Sequence, residues 1–311
     1  MLKWNPTWLD ARKFLFRNSH IKLEGMNVAG SIKLKTATYL LDDLQKSGKI
    51  RRGSTIIESS SGNLGIALSI LCKNRGHKFI CVTDPNSSPI SEEIMKFYGA
   101  HVAKVTNKDP NGGYLATRIN LIREMTSKNP NIVWTNQYAS PSNVKAHYQT
   151  TAKEIYQRFS DLDYLFIGAG TTGTLVGCAT FFKKFSPSTK IIAVDSTGSV
   201  TFGGQSAPRY IPGIGTSRQP EILSMDNIYD VLTIPESQGV IECNRLLREF
   251  GVFLGGSSGS VICAARRYLN AKRGAKSVII SPDFGDKYKA TIYNKEWVEE
   301  KFGPVVAKNV V

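Results

Sequence analysis

Short, unbroken apolar runs alternating with helix-length segments constrain this chain more than any other feature. The runs fall at 55–58, 79–83, 101–105, 164–167, 191–195 and 277–280. Helical patterns fill the gaps at 62–75, 91–98, 113–127, 143–159, 173–185, 237–250 and 259–272. Continuous apolar strands separated by helices predict parallel sheets covered on both faces. The alternation runs once before about residue 140 and again after it. That repetition predicts two α/β layers with a ligand in the cleft between them. The Gly-, Pro- and Ser-rich stretch 197–223 has no clear period, which suits a binding loop.

Chemistry concentrates where these elements join. Lys33 ends Gly30-Ser31-Ile32-Lys33, after an apparent strand at 21–24 and a loop at 25–30, and before a helical pattern at 34–45. Backbone N–H groups and the positive helix end disfavour an ammonium there and leave an amine able to form an imine. A solvated surface lysine, one of 40 Lys and Arg residues, is the plain alternative. Glu58-Ser59-Ser60-Ser61-Gly62-Asn63-Leu64-Gly65 follows a strand and opens a helix. Its donors suit a carboxylate or phosphate, although an ordinary N-cap uses the same residues. Gly168-Ala169-Gly170-Thr171-Thr172-Gly173-Thr174 is a GxGxxG, and Asp195 ends the next strand. This matches a dinucleotide fingerprint, so a nicotinamide oxidoreductase is a rival reading. The threonine hydroxyls suit a compact phosphomonoester better. Phe253-Leu254-Gly255-Gly256-Ser257-Ser258-Gly259-Ser260 and Ser281-Pro282-Asp283-Phe284-Gly285-Asp286-Lys287-Tyr288 read as turns that carry little alone.

Composition removes other classes. With 41% hydrophobic and 21% charged residues the chain is globular, and no apolar run is long enough to span a bilayer. The N-terminal Met1 to Pro6 lacks the apolar core of a signal peptide. Five scattered cysteines without a CxxC predict buried free thiols and a cytoplasmic setting. The net charge of +15 comes from short basic pairs without aromatic interleaving. It predicts attraction of small anionic ligands, with no nucleic-acid or membrane partner. His20, His77, His101 and His147 show no metal spacing and read as structural, as do Trp4 and Trp8 as packing residues.

Taken together, Lys22 to Lys33, Ser60-Ser61-Gly62-Asn63, Gly170-Thr171-Thr172-Gly173-Thr174 and Gly255-Gly256-Ser257-Ser258-Gly259 resemble the cysteine synthase and cystathionine beta-synthase family. The resemblance covers nearly the whole chain in order and spacing. It implies a fold-type II pyridoxal phosphate (PLP) enzyme, tryptophan synthase beta-like, with two three-layer α/β domains around the cofactor. Residues 27–137 would form a mobile N-terminal domain, and 1–26 with 138–311 the C-terminal one. Lys33 would link to the cofactor and act as general base. Asn63 would bond its phenolic oxygen, Gly170, Thr171, Thr172, Gly173 and Thr174 would cradle its phosphate, and Ser257 would face its pyridine nitrogen. Ser60, Ser61, Asn63 and Gln137 would hold the substrate carboxylate.

A narrower resemblance lies in Gly112 to Ile119, Asp195 to Gly203 and Pro212 to Leu223, and points to the siderophore-type N-(2-amino-2-carboxyethyl)-L-glutamate synthases. It implies β-replacement on O-phospho-L-serine by the amine of L-glutamate, on the way to 2,3-diaminopropionate, by a homodimer. Arg118 and Arg218 are the candidates for reading a phosphate or the glutamate carboxylates. The same chemistry with sulfide, making cysteine, is the alternative. Val28 stands where the family usually has Pro, and Leu34-Lys35 where it has Asp-Arg.

Overall fold

The computed structural model describes residues 7–16, 18–109, 113–272 and 274–311. In chain order the elements are β1 (Trp8–Asp10), β2 (Ser19–Leu23), α1 (Lys33–Lys46), β3 (Thr55–Ser59), α2 (Asn63–Arg75), β4 (Lys78–Thr83), α3 (Pro89–Phe97), β5 (His101–Lys104), α4 (Leu115–Lys128), β6 (Ile132–Trp134) and α5 (Pro141–His147). A π-helical turn (Tyr148–Ala152) leads into α6 (Lys153–Arg158), β7 (Tyr164–Gly168), α7 (Gly173–Phe185), β8 (Lys190–Ser196), β9 (Asp230–Ile234), α8 (Glu236–Phe250), α9 (Gly256–Leu269) and β10 (Ser277–Ser281). A 3-10 turn (Gly285–Tyr288), α10 (Lys295–Phe302) and α11 (Pro304–Ala307) follow.

The strands form two sheets, one ordered β1-β2-β10-β7-β8-β9 and one ordered β5-β4-β3-β6. β1 joins its edge antiparallel, and every other pairing between these strands is parallel. In β7, Tyr164 and Phe166 enter the core with Val261 and Leu269 of α9, while Leu165 and Ile167 enter another with Leu175 and Phe182 of α7. In β3, Ile56 packs with Leu64 and Leu68 of α2, and Ile57 with Ile122 of α4. Period-2 alternation thus buries both faces of each sheet, which is why the strands read as unbroken apolar runs.

The predicted strands and helices appear within a few residues, with three informative differences. The helix expected over 143–159 is interrupted by the π-helical turn. Thr150 Oγ1 donates to the Ala146 carbonyl at 2.6 Å, a local bond that competes with regular helix geometry. The helix expected from 259 begins at Gly256, so Ser257 lies in its first turn. Gly259 lies inside this helix, where a Cβ would come 2.3 Å from the Gly239 carbonyl, so the glycine serves the close crossing of α8 and α9. β1 and β6, three residues each, are too short to stand out, and β9 was not among the expected runs. The stretch 197–223 holds no regular helix or strand, as expected. All five cysteines are free and buried, and Trp8 packs edge-on against Phe159 at 5.1 Å. Trp4, Gly112 and Arg273 lie outside the described residues.

Candidate active site

The turn that presents Lys33 is built by local bonds. Asn27 Nδ2 donates to the carbonyls of Glu24 (2.8 Å) and Ser31 (2.9 Å), and its Oδ1 accepts from Ala29 N. Gly30 takes φ +62°, a left-handed conformation that favours glycine. Ser31 then bridges Asp283, and Ile32 N donates to the Pro282 carbonyl at 2.8 Å. Lys33 therefore opens α1 beside the carboxyl end of β10, and Val28, in place of the family's proline, faces outward at 76% exposure. Lys33 Nζ reaches Thr171 Oγ1 at 3.4 Å and Gln137 Oε1 at 3.5 Å. Burial lowers its pKa to about 8, against the opposing attraction of Glu58. Desolvation, rather than the helix end invoked from sequence, is the main cause.

The loop after β3 is organised from within. Ser60 Oγ accepts from the backbone N–H groups of Gly62 (3.2 Å) and Gly65 (2.9 Å), and Asn63 begins α2. Ser61 accepts a bond from Ser87 Oγ through its carbonyl. Gln137, after Asn136 at φ +45°, is fixed by Glu58. That buried carboxylate accepts from Ser59 N (2.7 Å), Trp134 Nε1 (3.2 Å), Thr135 Oγ1 (2.5 Å) and Gln137 N (3.1 Å). Burial still raises the Glu58 pKa. Gln137 Nε2 donates to the Ser59 carbonyl at 3.2 Å, which turns Oε1 toward Lys33.

The glycine-threonine loop joins β7 to α7. Thr172 caps α7 at φ +64°, and its buried hydroxyl has no protein partner. Asn143 Nδ2 donates to Thr171 Oγ1 and to the Gln137 carbonyl, both at 2.9 Å, tying this loop to the Gln137 segment. A Cβ on Gly173 would lie 2.2 Å from Asn143 Oδ1, and one on Gly170 would lie 3.0 Å from the Gly213 carbonyl. Across the loop, Ser257 Oγ would lie 3.6 Å from a Cβ on Gly213. The free N–H groups of α7's first turn, the unpartnered Thr172 hydroxyl and the glycine walls fit a phosphate monoester. A buried amine beside that cradle fits the aldehyde of PLP.

Both candidate arginines are already paired. Arg118 Nε lies 3.2 Å from Asp84 Oδ2. Arg218 Nη2 bonds both oxygens of Glu221 at 2.9 and 2.7 Å, and its guanidinium sits 4.8 Å over Tyr138. The charges of both act on the buried Tyr138 hydroxyl, next to Gln137. Asp195 is buried and accepts from Ser196 N at 2.8 Å. Sequence reasoning missed Glu58, Asn143, Asp283 and Lys287 as site residues. An acidic residue inside an apolar strand was a legible signal for Glu58, whereas the others are polar residues in helical or loop patterns. Among the described residues no group of three or more His, Cys, Asp and Glu could hold a metal ion.

The pyridoxal-phosphate dependent enzyme family matches residues 10–283, and this chain belongs to it. It is a PLP-dependent enzyme of fold-type II, and the nicotinamide reading of its glycines does not hold. Among curated relatives, the N-(2-amino-2-carboxyethyl)-L-glutamate synthase of Ralstonia nicotianae is 43% identical over 279 residues, 89% of this chain and 82% of the relative. The protein of the same name from Cupriavidus metallidurans is 42% identical over 282 residues, 89% of this chain and 83% of that one. An O-acetylserine dependent cystathionine beta-synthase from Helicobacter pylori superposes with a TM-score of 0.85 at 31% identity, covering 92% of this chain and 94% of that one. O-ureido-L-serine synthase superposes at 0.83 with 27% identity, covering 91% and 88%.

Proposed function

We propose that this enzyme replaces the phosphate of O-phospho-L-serine with the amine of L-glutamate, giving N-(2-amino-2-carboxyethyl)-L-glutamate for 2,3-diaminopropionate and siderophore or natural-product biosynthesis. The observation that carries the reading is the convergence of a desolvated Lys33 amine, Thr171 and Gln137 at one point, in a chain 43% identical to a synthase of that name.

Bound in the cleft, PLP supplies an electron sink for charge that develops at the substrate's Cα. The chain supplies position and proton transfer. Lys33 Nζ, neutral above about pH 8, takes the Cα proton. Gln137 Oε1 and Thr171 Oγ1 aim that amine, and Glu58 holds Gln137 in register. Gly170 to Thr174 with the start of α7 hold the cofactor phosphate. Ser60, Ser61, Asn63 and Gln137 hold the substrate carboxylate at the start of α2. Ser257 offers a neutral hydroxyl to the ring nitrogen, so no buried carboxylate holds a proton there. Arg218, stacked on Tyr138, and Arg118 read the phosphate or the glutamate carboxylates, and Arg218 exchanges Glu221 for the ligand.

Residues 27–137, with the four-stranded sheet, form one domain that closes over the rest, and the working unit is a cytoplasmic homodimer. Competition tests the substrate reading. The PLP-loaded enzyme is given phosphoserine with equimolar glutamate and sulfide, and products are identified by mass. The glutamate adduct is expected to dominate. Cysteine as the sole product would reassign the enzyme as a sulfhydrylase.

A further inference from the structure

The segment Ser281 to Tyr288 carries no part of the reaction above, yet it builds a buried polar cluster against the cleft. Lys287 Nζ donates to Asn63 Oδ1 at 2.5 Å and to the Gly30 carbonyl at 3.4 Å. Asn63 Nδ2 donates to Asp283 Oδ2 at 2.7 Å, and Tyr288 OH donates to the same oxygen at 2.5 Å. Asp283 is 1% exposed. Its other oxygen points at Gly255, where a Cβ would lie 1.9 Å away, so only glycine fits there.

An ammonium only donates and a carboxylate only accepts. Flanked by one of each, the Asn63 amide has a single orientation: its oxygen faces Lys287 and one N–H faces Asp283. The second Nδ2 hydrogen has the Tyr288 hydroxyl oxygen within reach, since that hydroxyl gives its own proton to Asp283. A simple ion pair steadying the 3-10 turn is the plain alternative, but Lys287 Nζ is 3.8 Å from Asp283 and 2.5 Å from Asn63, so the amide is its closer partner. The same amine also grips Gly30, the left-handed residue of the turn that presents Lys33.

We infer that Lys287 is a positioning residue of the cofactor site, which with Asp283 fixes the Asn63 amide in one orientation beside the cofactor, and which couples that amide to the Lys33 turn. This rests on reading Asn63 as a cofactor contact. The test is a double-mutant cycle read by PLP affinity, from absorbance titration of apoprotein, with the apoprotein's unfolding midpoint recorded for each variant. Lys287→Met is expected to weaken binding by about tenfold, the worth of one charged hydrogen bond. In an Asn63→Ala background the same change is expected to cost less than about twofold, since the partner it positions is gone. If Lys287→Met does not fold, Lys287→Gln carries the cycle with the same expectations. Equal effects in both backgrounds, or none in either, would overturn the inference while the wild type still turns yellow with PLP. A wild type that stays colourless with PLP would overturn the cofactor reading and this inference with it.

Discussion

At the scale of single residues, the site is governed by what burial does to charge. Lys33 has a folded pKa of about 8, below the unfolded value of 10.5. Below pH 8 both states carry the proton and the folded state bears the whole desolvation cost. Between pH 8 and 10.5 the unfolded chain binds more protons, so stability rises with pH. Above 10.5 the cost is gone. Lys33→Met is therefore expected to stabilise the apoprotein by roughly 2–3 kcal/mol at pH 7 and by almost nothing at pH 11, measured by urea unfolding. A gain independent of pH would mean that packing, not charge, is responsible. Lys33 was legible in the sequence from its junction position and the motifs around it. The reason its amine is perturbed was not, because burial follows from the fold, which brings residues more than 100 positions away, Gln137 and Thr171, up against the amine. For Arg218, Arg218→Ala is expected to raise KM for phosphoserine more than about tenfold, the loss of a bidentate contact; unchanged kinetics would remove it from the substrate's path.

At the scale of elements, the loops after β6 and β7 are held as one by Asn143 on α5. Its amide joins Thr171 to Gln137, and Gly173 leaves the room it needs. Gly173→Ala would drive a methyl into Asn143. The expected cost is about 1–3 kcal/mol of stability, with PLP affinity falling in parallel; chemical denaturation and cofactor titration on one preparation check both. Full affinity in this variant would show that the two loops are independent. The glycines after β3 and β7 were legible as punctuation between strand and helix. What each glycine accommodates was not, since Gly173 answers to α5 and Gly259 to α8. The π-helical turn was equally hidden. It places Thr151 where its hydroxyl meets His147 Nδ1 at 3.1 Å and Lys35 Nζ at 3.3 Å, the second a contact that exists only once α1 has packed beside α5.

At the scale of the molecule, a buried ion cluster pins α1 to the six-stranded sheet. Lys22 of β2 and Lys35 of α1 both reach Glu24 and Glu154, at 2.7 to 3.3 Å. Lys35, which stands where the resemblance leads one to expect arginine, thus keeps an ionic role two residues beyond Lys33. Side chains of Lys22 and Glu24 are 2% and 4% exposed, so neither charge is tolerable alone. Glu24→Gln is expected to cost about 3–5 kcal/mol, whereas Glu154→Gln, at the half-exposed end, costs less. Equal costs in urea unfolding would argue against a buried cluster. The two-sheet architecture was legible because parallel strands buried on both faces leave long apolar runs. Grouping 1–26 with 138–311 came from the family resemblance and not from the apolar runs, because the pairing of β2 with β10 spans more than 250 residues.

Lys33, among the half-buried lysines that include Lys35 and Lys287, is the residue proposed to carry the cofactor. Borohydride reduction of the PLP-loaded enzyme, followed by peptide mapping, tests it most directly. The account predicts one reduced pyridoxyl adduct, on Lys33. An adduct on Lys35 or Lys287, or an enzyme that turns yellow and yields no adduct, would contradict it.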